Sequence, residues 1–422
     1  MRASWMARIS ATLCRSAAKS RSWPPSDSRA LPLLRRDLGH LAMSDILDIL
    51  DRLIGFDTVS ARPNRDMMDY ISDFLATRGA KVTPIAGSQP GKSGLVAVIG
   101  PETEGGIALS AHTDVVPVEG QDWSRRPFAL TREGGRVFGR GTTDMKGFVA
   151  CMLEAANRAA QARLRAPLML VLSYDEEIGC VGIQEMRPVL PALLGAPRLC
   201  IVGEPTEMAV ATGHKGKVAL RAVCRGESGH SALAPNFVNA LDLAADLVVA
   251  IRALQASLAH GGARDDAYAI PYSTVHVGLL SGGRALNIVP DHAELTFELR
   301  HLAADAPQEL LARIRASAEG IAARHGAAAG IRLETLTAYP GLDIAGEDPA
   351  VGLARRFART EHLTKVAFGT EAGVFQEMGV PTLVCGPGSM SGQGHKPDEF
   401  IETSQLEACR AMLERVVEDL RG

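Results

Sequence analysis

Two histidines and a group of carboxylates stand where short apolar runs end, and side chains of those types, gathered in one place, hold divalent cations. The run 107–111 is followed by His112-Thr113-Asp114. At a period of two, His112 and Asp114 leave a strand on the same side, so the carboxylate can orient the imidazole; taken alone, the pair also reads as an ordinary polar turn. Gly139-Arg140-Gly141-Thr142-Thr143-Asp144 puts Asp144 in a glycine-rich loop at a helix start, where a lone Asp is usually a cap. The run 168–172 delivers Ser173-Tyr174-Asp175-Glu176-Glu177, three consecutive acids whose mutual repulsion needs water or a cation to offset it. Glu204 follows the run 199–202, and Gly394-His395-Lys396-Pro397-Asp398-Glu399 follows a Gly/Ser-rich loop after the last strand. Nitrogen and oxygen donors without thiolate suit a hydrolytic zinc, cobalt or manganese site and not a structural cysteine site. Two metals sharing one carboxylate need about five or six protein ligands, which this set supplies.

The elements that must position these residues follow an α/β pattern. Helical spacing covers 46–54 and, after Asn64 as cap, 65–79; apolar runs at 95–99, 107–111, 168–172, 199–202 and 382–385 read as strands, alternating with helices at 145–158 and 371–378. From 215 to 338 the order becomes strand 217–225, helix 238–258, strands 273–280 and 293–300, helix 308–323 and strand 331–337, the ferredoxin-like β-α-β-β-α-β pattern. Leu295, Phe297 and Leu299 alternate with Glu294, Thr296, Glu298 and Arg300, as in a half-buried antiparallel strand. The expected organisation is a catalytic α/β domain made of 43–214 and 339–422, with 215–338 inserted into it.

A chain of 422 residues, 46% apolar, can bury two or three cores. Its 45 basic and 48 acidic residues give a net charge of -3, which excludes the basic stripe of a nucleic-acid binder and points to a small-molecule ligand. No run reaches the roughly 20 apolar residues of a membrane span. Cys14, Cys151, Cys180, Cys200, Cys224, Cys385 and Cys409 form no CxxC pair and read as reduced thiols of a cytoplasmic protein. Residues 1–42 carry eight Lys or Arg against Asp27 and Asp37 and cannot build a core; the composition admits a transit peptide, but a dispensable or mis-assigned extension is the favoured reading.

In combination, SAHTDVVP, GRGTTDMKG, SYDEEIG, VGEPT and GHKPDEF, in this order and flanking an inserted domain, resemble the two-zinc aminoacylase/carboxypeptidase family, the group of acetylornithine deacetylase and succinyl-diaminopimelate desuccinylase. The resemblance spans about residues 45–418. It implies a zinc-peptidase-like catalytic domain, an inserted dimerisation or lid domain, and two zinc ions for which cobalt or manganese can substitute. By the same resemblance Asp144 bridges the metals, His112 and Glu204 complete one, Glu177 and His395 complete the other, Asp114 holds His112 in register, and Glu176 is the general base. Spacing leaves open which of Glu176 and Glu177 binds metal, because adjacent residues merely point to different sides. The resemblance also implies a cis peptide at Asp144–Met145.

In the inserted domain, Gly226-Glu227-Ser228-Gly229-His230-Ser231-Ala232 resembles a loop that carries a histidine, here His230, into the partner subunit's active site to help hold the oxyanion, which implies a homodimer. Asn287 and Arg300 resemble the family's residues for the substrate's α-carboxylate, a task suited to the planar guanidinium fork; alone, Arg300 is an ordinary strand-face charge. The stretches 211–216, 368–373 and 395–400 lean toward the acetylornithine deacetylases, so the implied reaction is N-acetyl-L-ornithine to L-ornithine and acetate, in arginine biosynthesis. Glu371 would suit the side-chain amine of ornithine, or would be a helix-start acid favoured by the dipole. The glycine-rich loop 388–394 departs from what those enzymes lead one to expect. Alternatives are a desuccinylase, a broad N-acyl amino acid hydrolase or dipeptidase, and, in another class, a non-catalytic binding protein on the same fold.

Overall fold

The computed structural model describes residues 46–422; the extension 1–42, with Cys14, and residues 43–45 lie outside the described residues. The larger part is built on a nine-stranded mixed sheet. Its order is Lys81–Ala86, Ser93–Ile99, Leu168–Ser173, Ile107–His112, Leu199–Val202, Thr382–Val384, Val210–His214 and Leu342–Asp343, with Leu363–Val366 added beside Val210–His214. Neighbours within the central group from Leu168–Ser173 to Thr382–Val384 are parallel.

These central strands are buried on both faces, which is why they read as unbroken apolar runs. Ile107, Leu109 and Ala111, with Leu168, Leu170 and Leu172, pack toward helices Ile46–Ile54, Arg65–Ala76, Lys146–Ala160 and Thr403–Arg421. Ala108, Met169 and Val171 pack toward Val181–Met186 and Ala372–Glu377 on the opposite side. The result is an α/β layer whose parallel strands end on one edge, where such folds gather their chemistry.

Between Val210–His214 and Leu342–Asp343 the chain forms a four-stranded antiparallel sheet, ordered Thr274–Gly282, His292–His301, Gly216–Arg225 and Gly330–Tyr339. Helices Ala240–Gly261 and Pro307–His325 cover one face, meeting Leu295, Phe297 and Leu299. This is the ferredoxin-like pattern read from the sequence. The two chain crossings between the sheets run side by side. A side chain at Gly341 would place its Cβ 2.8 Å from the Gly216 nitrogen, so only glycine lets the crossings approach this closely.

Two local expectations change. Asn64 sits at the start of Arg65–Ala76 but makes no side-chain cap bond; its amide donates to the Ser93 carbonyl at 2.9 Å and accepts from the Ser93 amide at 3.1 Å, tying helix to strand. Short strands Thr131–Glu133, Arg136–Phe138 and Phe400–Glu402 form a small third sheet beside the catalytic edge, with no apolar run to announce them. The six cysteines among the described residues are unpaired thiols, all buried, and none of the described helices is long and apolar enough to cross a membrane.

Candidate metal centre

Three adjacent parallel strands deliver the cluster. His112 is the last residue of Ile107–His112, Glu176 and Glu177 follow Leu168–Ser173, and Glu204 follows Leu199–Val202. Asp144 enters from the loop before Lys146–Ala160 through a cis Asp144–Met145 peptide, and His395 enters from the loop before Phe400–Glu402.

Asp144 occupies the middle. Its Oδ1 lies 3.0 Å from His112 Nε2, and its Oδ2 lies 3.1 Å from His395 Nε2. Glu204 Oε1 stands 3.7 Å from the same His112 nitrogen, and Glu177 Oε2 stands 3.0 Å from His395 Nε2. One carboxylate thus faces two different imidazoles with its two oxygens, each imidazole accompanied by its own glutamate. Candidate ligand atoms of His112, Asp144 and Glu177, and of His112, Glu176 and Glu204, converge within 4.8 Å of one another.

The aim of His112 is fixed from behind. Its Nδ1 donates to the Asp114 carbonyl at 3.0 Å and lies 3.4 Å from Asp114 Oδ1, which leaves Nε2 facing Asp144 and Glu204. Asp114 is itself buried and saturated: it accepts from the Glu176 amide at 3.0 Å, the Glu177 amide at 3.3 Å and Ser60 Oγ at 2.6 Å. It therefore orders the histidine and the two glutamates together. Below them, Lys92 pairs with buried Asp175, whose Oδ1 also accepts from the Ala61 amide at 2.9 Å. The Cys180 thiol donates to Glu176 Oε1 at 3.3 Å.

The electrostatics are those of a site that needs positive charge. Burial, followed by the charge of Asp144, pushes the Glu177 carboxyl up to about 7 and raises Glu204 well above the usual carboxylate range. Burial also lifts Glu176 far up, against the pull of His112. Asp144 moves the opposite way: burial works to raise it, but the hydrogen-bonded imidazoles of His112 and His395 hold it well below the normal range. Hydrogen bonds to Asp144 and Glu177 push His395 up to about 10. For His112, burial works downward, yet its bonds to Asp114 and Asp144 carry it well above the ordinary value. Buried like charges at this density are compensated by protons or by cations. An all nitrogen-and-oxygen donor set, preordered by outer hydrogen bonds, fits divalent metal ions. His112, Asp144 and Glu204 are nearly inaccessible, whereas the His395 side chain is 48% exposed, so the cluster opens to solvent on the His395 side.

The remaining residues singled out in the sequence divide into two groups. Glu371 is buried beneath the strand ends, accepting from Ser173 Oγ, with Ser110 Oγ at 3.5 Å; burial pushes its carboxyl up to about 7. His230 and Asn287 sit at an exposed two-stranded ribbon, Gly229–His230 paired antiparallel with Ile288–Val289, where His230 Nδ1 accepts from the Ala232 amide at 3.0 Å and the Asn287 carbonyl accepts from the Ser231 amide at 3.1 Å. Within one chain the structure does not join them to the cluster. Arg300 stands beside Lys217 and Tyr339 across three strands, on the helix-free face, its Nε donating to Glu298 at 2.8 Å. Sequence reasoning passed over Ser60, Lys92, Cys180 and Tyr339. Only Cys180, four residues beyond Glu176 and next to the SYDEEIG motif, carried a positional signal.

Fold and cluster define a metal-dependent hydrolase. The chain belongs to peptidase family M20/M25/M40, whose profile matches residues 108–419. It is 32% identical to an acetylornithine deacetylase of Myxococcus xanthus over 90% of this chain and the whole of that protein. Its fold is similar to an M20 family metallo-carboxypeptidase of Sulfolobus solfataricus (TM-score 0.73, 18% identity, 90% and 100% of the two chains). It is also similar to a dinuclear metal-binding M20 peptidase of Bacillus subtilis (TM-score 0.62, 19% identity, 89% and 97%).

Proposed function

We propose that the chain uses two zinc ions, replaceable by cobalt or manganese, to hydrolyse the N-acyl amide of a small amino acid, with N-acetyl-L-ornithine as substrate and arginine biosynthesis as the setting. The observation that carries this reading is Asp144, whose two oxygens each face a separate histidine–glutamate pair. In this reading His112 and Glu204 hold one cation, His395 and Glu177 the other, and Asp144 is shared. Bound cations supply Lewis acidity toward the amide carbonyl and acidify the attacking water.

The chain's own residues do the rest. Glu176 is held in place by the hydrogen bond its backbone amide donates to the Asp114 carboxylate and by the one its carboxylate accepts from the Cys180 thiol. In this role Glu176 takes a proton from the attacking water and passes it to the leaving amine. Arg300 and Asn287 receive the α-carboxylate, and His230 donates to the oxyanion from the second subunit of a homodimer formed through the inserted domain. That assembly agrees with the exposure of His230 and with exposed Leu279 and Leu280 on the sheet's edge strand. Unpaired, buried thiols agree with the cytoplasm.

The acetylornithine assignment is supported by the Myxococcus xanthus relative and by the stretches 368–373 and 395–400. A broader N-acyl amino acid hydrolase or dipeptidase is the second reading, favoured by the burial of Glu371 and by its engagement with Ser173 and Ser110, which leave its carboxylate already partnered. Purified, metal-loaded protein is to be assayed against N-acetylornithine, N-succinyl-diaminopimelate, other N-acyl amino acids and dipeptides. Preference for the first is expected, and preference for any other overturns the substrate assignment.

A further inference from the structure

Glu399 lies in the same GHKPDEF segment as His395, yet it takes no part in the ligand set. Its side chain is 1% exposed and is the most fully engaged carboxylate near the cluster. Oε1 accepts from the backbone amides of Thr143 at 2.9 Å and Asp144 at 3.1 Å; Oε2 accepts from the Gly141 amide at 3.0 Å and from Arg140 Nη1 at 2.7 Å. A carboxylate has about four lone-pair positions, and here every one is used, three of them on backbone amides of the loop that ends in Asp144.

The other end of the same contact holds His395. The Glu399 carbonyl accepts from the Gly139 amide at 2.9 Å, the Phe400 carbonyl from Thr143 Oγ1 at 2.7 Å, and the Lys396 carbonyl from Arg140 Nη1 at 3.4 Å. Arg140, fully buried, reaches on to Gln121 Oε1 at 2.5 Å, and Gln121 Nε2 donates to the His395 carbonyl at 3.1 Å. Loops more than two hundred residues apart in sequence are thereby locked in one register, and each of them carries a residue that faces the same imidazole–carboxylate contact.

We propose that Glu399, with Arg140, is the positioning residue of the metal centre: its carboxylate sets the Asp144 backbone, and so fixes how far the shared carboxylate stands from His395. The proposal rests on the reading of Asp144 and His395 as ligands. It follows that neither glutamine nor aspartate should serve fully at 399. A glutamine amide, in either orientation, turns an NH2 toward two donors that need an acceptor, and an aspartate falls one methylene short of the loop. Groups that orient metal ligands from behind typically contribute about 10–100-fold to metal affinity.

The test is metal titration by calorimetry, with the visible spectrum of the cobalt-loaded protein as a second readout, on wild type, Glu399→Gln and Glu399→Asp. Wild type taking up two equivalents upholds the underlying ligand reading; fewer than two sinks that reading and the proposal with it. Given two in wild type, we expect Glu399→Gln to remain folded by circular dichroism, to lose about 10–100-fold in affinity for at least one equivalent, and to show an altered cobalt spectrum. Glu399→Asp, which keeps the charge facing Arg140, should fall between the two, and it becomes the deciding variant if Glu399→Gln fails to fold. Unchanged affinities and spectrum in a folded variant overturn the proposal and leave the ligand reading intact. Unfolding of both variants while metal-free wild type stays folded also overturns it, assigning Glu399 to the fold.

Discussion

The metal cluster and the inserted domain's exposed two-stranded ribbon hold their polar residues in opposite ways. Around Asp144 the site is ordered by other residues of the same chain: Asp114 fixes His112 and the backbone of both glutamates, while Asp175 is paired with Lys92. On the ribbon, the His230 side chain and the Asn287 carbonyl are bonded only to backbone amides of the adjoining segment, Ala232 and Ser231, and both residues are exposed. The first arrangement is complete within one chain; the second is, in the proposed reading, completed by substrate and a second subunit. Preorganisation belongs where charge is buried and reorganising it is costly, and adaptable exposure belongs where a ligand must enter.

Substitutions can break or sharpen this contrast. The largest effect is expected at Glu176: Glu176→Gln should lower kcat by about 10²–10⁴ while metal content, measured by atomic absorption, stays at the wild-type value. Loss of metal in that variant would move Glu176 into the ligand set. His230→Ala should lower kcat by about 10²–10³ without changing metal content. Mixing it with Glu176→Gln should then restore part of the activity through hybrid dimers, whereas a monomer active in sedimentation would return the ribbon to a purely structural role. Asp114→Asn, which leaves the backbone carbonyl behind His112 in place but turns an NH2 toward the Glu176 or Glu177 amide, should weaken metal binding by about 10–100-fold. The smallest effect is expected at Arg300, where lysine replaces the planar fork: KM should rise by about tenfold, the worth of one charge-assisted hydrogen bond, with kcat little changed.

Much of this was legible in the sequence because the determinants are local and periodic. Parallel strands buried on both faces announce themselves as apolar runs, and residues just past their ends are the ones an α/β fold exposes to chemistry. The alternation of Leu295, Phe297 and Leu299 with polar and charged neighbours likewise marked the half-covered antiparallel sheet. What stayed hidden depends on distant partners. Asn64 has the composition of a cap, but Ser93, supplied by another element, captures its amide. Glu371 looked available to a substrate because nothing in its neighbourhood reveals that Ser110 and Ser173, on two other strands, enclose it. Spacing could not separate Glu176 from Glu177, since both amides bind the same aspartate and only the side-chain directions differ.

The central claim is that Asp144 is shared between two cations. Diffraction from zinc-loaded crystals at the zinc absorption edge addresses it directly. Two anomalous peaks are expected, one beside His112 and Glu204 and one beside His395 and Glu177, each within bonding distance of a different Asp144 oxygen. A single peak, or two peaks with Asp144 turned away from either, would contradict the account.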